Sequence, residues 1–278
     1  MPQHSKQDLL SIKEWMSKEP YLPQDLDDKM LIWFLHSCYF SLEATKRCIN
    51  RFCITRAQMP EVYISRDPLS DNIRNMLDHI VLGIYEFDGK DVVIHKLDDP
   101  TLDNFNFYDY LKTLTIQGDT WIKYHPNLPD GHYIVIDMSC FSFKLVSKIN
   151  IMYLRDFILY LLEGMPVRVK KVIGINAPSY YEKLYALVKP VLPAEIIDVI
   201  HFFTDYESLH QFVDKKYLPV EYGGEAQSMY EQNQEWRKKF DRERKFFLDD
   251  NVWKADTKKI SKIANNTMSG SFRTLSID

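Results

Sequence analysis

Two short β-branched runs constrain this chain more than any other feature. HYIVIDM (132–138) and KVIGIN (171–176) are each bounded by turn residues and lack the polar alternation of a half-exposed strand, which is the form of a strand buried on both faces. Between them lies a long apolar stretch of helical character, 147–163. Strand, helix and strand in that order imply a right-handed crossover and a parallel or mixed sheet.

Around this crossover the spacing is helical. Leu9, Leu10, Ile12, Trp15 and Met16 predict a first helix, ended by the turn at Pro20 and Pro23. Asp27 is the expected N-cap of a second helix through Leu31, Ile32, Phe34 and Leu35, and Ser41 opens a third. These make a small all-α module over residues 1–66. The segment 67–85 reads as a helix leading into the hairpin turn Asp88-Gly89, and Val92, Val93 and Ile94 read as a strand. Residues 106–124 return to helical spacing. The αβ domain is expected to run over 67–225. A charged helical extension over 226–253 follows, with Trp236, Phe240 and Phe247 packing back on the body. Residues 254–278 are expected to be a disordered tail.

Several function classes are excluded by what is missing. With 35 basic and 39 acidic side chains the net charge is −4, against nucleic acid as a partner. Only 9 glycines accompany 14% aromatic residues, and GxGxxG, GxxxxGK[ST] and GxSxG patterns do not occur. The histidines at 4, 36, 79, 95, 125, 132, 201 and 210 show no metal-ligand spacing and read as surface or satisfied core residues. Cys38, Cys48, Cys53 and Cys140 form no CxxC pair, and the N-terminal residues lack a secretory apolar segment, so reduced thiols in the cytosol are expected. The stretch Ile149 to Leu162 carries Arg155 and Asp156 and falls short of the roughly 20 residues of a bilayer span. Asp137, at a strand end, is the best acid or base candidate. No nucleophile with a visible base joins it, so it reads as a structural acceptor for nearby N–H groups. No enzyme activity, catalytic residue, metal or cofactor is expected.

The helix expected over 179–192 is unusual. Tyr180, Tyr181, Leu184, Tyr185, Leu187, Val188, Val191 and Leu192 leave only Glu182, Lys183 and Lys189 as charges. Such a helix needs apolar surroundings on most sides. It is either a core helix or a lid, with one face on an apolar cavity and the other able to touch a membrane.

Four segments together resemble one family. They are DDKMLIWFLHSCYFSLEAT (27–45), GHYIVIDMSCFSF (131–143), MPVRVKKVIGINAPSYYEKLYALVKPVLP (165–193) and YLPVEYGG (217–224). Over about residues 5–245 the chain is similar to the CRAL-TRIO lipid-binding proteins, and to their tocopherol and retinaldehyde branch in particular. The resemblance implies an α/β fold class: the all-α N-terminal module, then an αβα domain whose mixed or parallel sheet floors an apolar pocket closed by a gate helix. It implies a pocket lined by Ile134, Ile136, Phe141, Ile149, Phe157, Tyr160, Leu161, Met165, Val167, Val169 and Val172, with Tyr181, Leu184, Val188 and Leu192 on the gate.

The same resemblance implies a basic membrane patch. Arg168 and Lys170 match two phosphoinositide-binding positions of the tocopherol branch and Lys171 adds charge, whereas Glu195 and Val199 occupy the other two positions. Lys189 matches a headgroup-binding lysine of the phosphatidylinositol-transfer branch, and Asp156 approximately matches its acid. The expected function is binding of a small tocopherol-, retinoid- or carotenoid-like lipid and its transfer between membranes, with release as the gate opens at the bilayer. The alternatives are a regulatory adaptor that reads lipid occupancy and a phosphatidylinositol-type phospholipid transfer protein. The expected partners are that ligand and a membrane surface containing phosphoinositides. The chain is expected to be a monomer, cytoplasmic and transiently on membranes.

Overall fold

The structure, a computed structural model, describes residues 3–260 and divides them into two compact units. In the first are 3–63, 163–166 and 251–260; in the second, 64–162 and 167–250.

The first unit is helical: α1 (Gln3–Ser17), α2 (Asp28–Ser37), α3 (Leu42–Gln58) and α4 (Pro60–Tyr63). Both expected caps are present. The Asp27 carboxylate accepts from Met30 N at 2.8 Å and Ser41 Oγ from Ala44 N at 3.4 Å, satisfying amides that a first helical turn leaves free. Ile12, Phe34, Leu35, Ile49, Phe52 and Cys53 are fully buried between these helices. None of the four cysteines is in a disulfide, and burial pushes the Cys53 thiol up to about 12. Of the stretch expected to be a tail, Ala255 N donates to Cys53 O at 3.0 Å and Asp256 N to Tyr21 O at 2.8 Å. Residues 261–278 lie outside the described residues.

The second unit is built on five strands in the order β1-β2-β3-β4-β5: β1 (Ile80–Phe87), β2 (Lys90–Leu97), β3 (Gly131–Asp137), β4 (Val169–Ile175) and β5 (Ile200–Phe202). β1 and β2 form an antiparallel hairpin, and the remaining pairs are parallel. The sheet is therefore mixed. The hairpin turns at Asp88 and Gly89, both with positive φ (49° and 68°), as a two-residue turn between twisted strands requires. The helices are α5 (Asp71–Asp78), α6 (Phe107–Tyr124), α7 (Phe143–Ser147), α8 (Ile151–Glu163), α9 (Tyr181–Val188), α10 (Ala194–Ile197), α11 (Met229–Arg242) and α12 (Arg244–Phe247).

The expectation of one helix over 67–85 is corrected: it ends at Asp78, and β1 begins at Ile80. Ile73, Met76, Leu77, Ile80, Val81 and Ile84 keep helical spacing across that boundary. From residue 80 the pattern comes instead from a strand buried on both faces, where the period-two signal is lost. The single helix expected over 147–163 is interrupted: α7 ends at Ser147, and Asn150 Oδ1 caps α8 by accepting from Tyr153 N at 3.1 Å. The helix expected over 179–192 ends at Val188 in a 3₁₀ turn, Lys189–Val191, where Pro190 has no N–H to continue it. β5 has three residues and no sequence signal of its own. α11 closes the free edge of the sheet: Asn233 and Gln232 side-chain amides pair with backbone groups of Ile80, Leu82 and Ile84 on β1. This blocks a row of groups open to edge-to-edge pairing.

Candidate functional site

The two faces of the sheet differ. On one, Val81, Tyr85, Val92, Ile94, Val135, Ile173 and Ile175 pack with Leu209, Val213, Leu218, Tyr222 and Met229 into a closed core, with Val135 and Ile173 at 0% exposure. On the other, the register aligns Val93 with Ile134, Ile134 with Val172, Ile136 with Gly174, and Gly174 with Phe202. Val93, Ile134, Ile136, Val172 and Phe202 are all only half-buried. Apolar side chains in the middle of a five-stranded sheet are normally sealed by the next layer. Here they form an open apolar floor.

α9 stands over one end of this floor. The ring centroids of Tyr181 and Tyr185 lie 5.2 and 5.0 Å from that of Phe202 on β5. Leu184 is buried at 3%, Tyr181 and Val188 are half-buried, and Leu187 on the outer side is 48% exposed. Phe143 at the start of α7 stacks on Tyr180 with centroids 5.7 Å apart.

The expected lining residues fall into groups. Ile134, Ile136 and Val172 share the floor, and Val169, paired with His132, stands on the same face. Tyr181, Leu184 and Val188 lie on α9, with half-buried Leu192 just beyond its 3₁₀ turn. Phe157 and Tyr160 on α8 are closed off at 2% and 1% exposure, and Leu161 beside them is half-buried. Phe141, Ile149 and Val167 are half-buried in connecting segments, and Met165 belongs to the first unit.

The four expected basic residues are not gathered on one face. Lys171 pairs with Tyr133, and its ammonium lies 5.1 Å over the Phe212 ring on the closed-core side of the sheet. Lys189 lies at the end of α9, 5.8 Å over Tyr185, on the floor side. Arg168 is half-buried, its N–H donating to His132 Nδ1 at 3.0 Å, while Lys170 is exposed at the irregularity between β3 and β4. Asp156 pairs with its neighbour Arg155 at 2.6 Å.

Asp137 is the node where the distant motifs meet. Its Oδ1 accepts from Ser139 N at 2.9 Å, and its Oδ2 from Asn176 Nδ2 at 3.2 Å and Tyr222 Oη at 2.9 Å. Burial and the Asp137 charge push the Tyr222 hydroxyl far above its ordinary value. At Gly224 an added Cβ would sit 2.0 Å from Leu218 O, so the backbone approach admits only glycine, and Gly223 has φ 68°. A polar cavity opens here beside Lys96, but its carboxylates are occupied: Glu221 accepts from Ser228 Oγ and from Met229 N. Asp137 is a tie between strand ends, the acceptor role expected for it.

The reading of every histidine as surface or satisfied core is corrected at two positions. His95 and His132 are 7% and 3% exposed, and each leaves Nε2 without a hydrogen-bond partner among the described residues. Burial pushes both down to about 4, only partly opposed by the charges of Asp137 and Asp91 respectively. For His125, burial lowers the pKa, but the hydrogen bond and charge of Asp91 outweigh it and the net direction is up. Among the described residues no cluster suited to a metal ion is present, and no helix is long and apolar enough to cross a membrane.

With this geometry in hand, the chain can be set beside known proteins. Residues 78–224 match the CRAL/TRIO domain. The chain belongs to the CRAL/TRIO family. Residues 1–73 match the Pinta-like, UBA domain. Alpha-tocopherol transfer protein-like of Mus musculus is 25% identical over 235 residues, covering 81% of this chain and 66% of the relative. Clavesin-1 of Rattus norvegicus is 34% identical over 121 residues, 43% of this chain and 34% of its own length. The crystal structure of Sfh5 superposes with a TM-score of 0.52 at 14% identity, covering 83% of this chain and 91% of that one, a likeness of fold. CRAL/TRIO proteins bind and transfer lipids and are not enzymes, and the half-open apolar floor of this CRAL/TRIO chain suits that chemistry. Val93 and Phe202 are floor residues that the sequence reading missed. Val93 lies in the β-branched run 92–94 that read as a strand without showing which side chain faces the floor, whereas Phe202 sits in a strand too short to show a period.

Proposed function

We propose that this CRAL/TRIO protein takes one small hydrophobic lipid of the tocopherol, retinoid or carotenoid type onto the open floor of its sheet and transfers it between membranes. The observation that carries this reading is the asymmetry of the sheet, sealed behind Val135 and Ile173 and open before Ile134, Ile136 and Val172. The printed name of the mouse relative supports a tocopherol-type cargo. Enclosing roughly 400 Å² of apolar ligand surface at about 25 cal/mol per Å² gives on the order of 10 kcal/mol before association costs, enough for retention without a covalent bond.

α9 is the gate. Its exposed Leu187 and Tyr180 (48% and 38%) insert among lipid chains at a bilayer, which offsets the packing that the helix gives up on lifting. Arg168, Lys170 and Lys189 draw the protein to anionic headgroups, phosphoinositides among them. The protein works as a monomer in the cytoplasm and visits membranes transiently. A phospholipid of the phosphatidylinositol type is the second reading, favoured by Lys189, exposed beside Pro190 at the end of the gate.

Transfer between donor and acceptor vesicles separates the two. Saturable transfer of a fluorescent tocopherol, competed by unlabelled tocopherol and not by phosphatidylinositol, is the expected result. Competition by phosphatidylinositol alone would favour the second reading, and no transfer of either would contradict both.

A further inference from the structure

Two of the four cysteines sit on neighbouring helices of the first unit, and their thiols are hydrogen-bonded to one another: Cys38 at the C-terminus of α2 and Cys48 in α3. Cys38 is held in place by its backbone. Its N–H donates to Phe34 O at 3.1 Å, its carbonyl accepts from Ser41 N at 3.0 Å, and Phe40 N donates back to Leu35 O at 2.8 Å. Tyr39 and Phe40 turn the chain there with φ of 54° and 59°, a conformation that residues with a side chain keep only where the surroundings fix it.

The two thiols differ in access. Cys38 is half-buried, with the Ser37 hydroxyl 3.8 Å from its sulfur. Cys48 is 6% exposed, and its thiol donates to Gly164 O at 3.4 Å and to Met165 O at 3.8 Å. Both carbonyls lie in the segment 163–166, which belongs to the same unit. The contact with Cys38, together with burial, pushes the Cys48 thiol well above its ordinary value and keeps the hydrogen on its sulfur in the reduced protein. A sulfur carries one hydrogen, so this hold on the segment lasts only while Cys48 is a thiol.

Going from a hydrogen bond between sulfurs to the ~2.0 Å of an S–S bond asks each sulfur to move by about an ångström, within the reach of side-chain rotation. Cys53 is placed differently. It lies about 140° further round α3 from Cys48 and is fully buried.

We propose that Cys38 and Cys48 form an oxidation site, at which hydrogen peroxide converts the thiol pair to a disulfide and so withdraws the Cys48 hydrogen bond from Gly164. Cys38, the more accessible, attacks one peroxide oxygen; the O–O bond breaks, water leaves, and Cys38 becomes a sulfenic acid. Cys48 then attacks that sulfur, the S–O bond breaks, and the departing hydroxyl takes up the Cys48 proton and leaves as a second water. Two electrons pass from the sulfurs to the peroxide. An added dithiol reverses the step by exchange.

The test treats the reduced full chain with hydrogen peroxide, blocks the remaining thiols with N-ethylmaleimide in denaturant, and maps a tryptic digest by mass spectrometry without reduction. Trypsin cuts after Lys46 and Arg47, so the disulfide joins two separate peptides. The expected result is the Cys38–Cys48 linkage as the main product, lost on adding dithiothreitol and absent from Cys38→Ser. In Cys48→Ser the second thiol is gone, and dimedone should trap Cys38 as its sulfenic acid. Hydrogen exchange over 163–166 should be several-fold faster in the oxidised wild type than in the reduced one. Cys38 left as a thiol, carried on to a sulfinic acid beside an intact Cys48, or joined to another cysteine would overturn the proposal. So would a linkage that leaves exchange over 163–166 unchanged.

Discussion

Tyr222 and Asp137 are 85 positions apart in the chain, yet the phenol donates to the buried carboxylate at 2.9 Å. Tyr222→Phe leaves the buried Asp137 carboxylate one donor short, so stability should fall by about 1–3 kcal/mol. The check is a lower urea midpoint at unchanged m, with lipid uptake retained because the node lies on the sealed side of the sheet. The buried histidines set the pH dependence. His95 and His132 have folded pKa values near 4, below the ordinary 6.5, so the unfolded chain binds more protons in that interval. Their contribution is complete above pH 6.5 and is lost as the pH falls toward 4, by about 2 kcal/mol each at pH 5. His125, raised by Asp91, acts in the opposite sense: its contribution is present below pH 6.5 and fades as the pH rises. Asp67, held at about 2 by its hydrogen bond from Arg244, keeps its contribution down to pH 5. Urea midpoints at pH 7.5 and 5.0 should therefore show a net loss at the lower pH. At this scale the helix caps were legible because Asp27 and Ser41 act within three residues of themselves. The partners of Asp137 were not, because no local pattern joins it to Asn176 or Tyr222.

At the scale of elements, α9 is where sequence and structure meet most closely. Its apolar excess was visible in composition, and the structure sets its tyrosines on Phe202 at the end of the open floor. If α9 is the gate, a charge on its half-buried inner side should be felt in transfer more than in folding. Val188→Asp should slow vesicle-to-vesicle transfer at least several-fold with the unfolding midpoint little changed, and an unchanged transfer rate would argue against the gate. The element misread from sequence, 67–85, failed for a specific reason. Ile80, Val81 and Ile84 extend the helical repeat of Ile73, Met76 and Leu77, and only pairing with β2 makes that stretch a strand. The amides of Gln232 and Asn233 on that strand's free edge were equally invisible, since edge protection is a tertiary property.

At the scale of the molecule, the mixed sheet follows from two buried runs and the helix between them, because a crossover has one favoured hand and leaves few topologies. The use of that sheet does not follow in the same way. Alternation along HYIVIDM assigns Val135 and Ile134 to opposite faces, but which face is sealed depends on Leu209, Val213, Leu218 and Met229 arriving from the far end of the chain. The histidines under α6 look like ordinary core residues in sequence, and only an Nε2 atom without a hydrogen-bond partner among the described residues distinguishes each of them. An open apolar floor and a gate describe a carrier whose cargo is part of its working state. Native mass spectrometry of the full chain after incubation with membrane vesicles tests that claim most directly. The account expects one lipid bound per chain, released as a single small molecule when the protein is activated in the gas phase. A chain seen only at its polypeptide mass, before and after exposure to every vesicle composition offered, would contradict it.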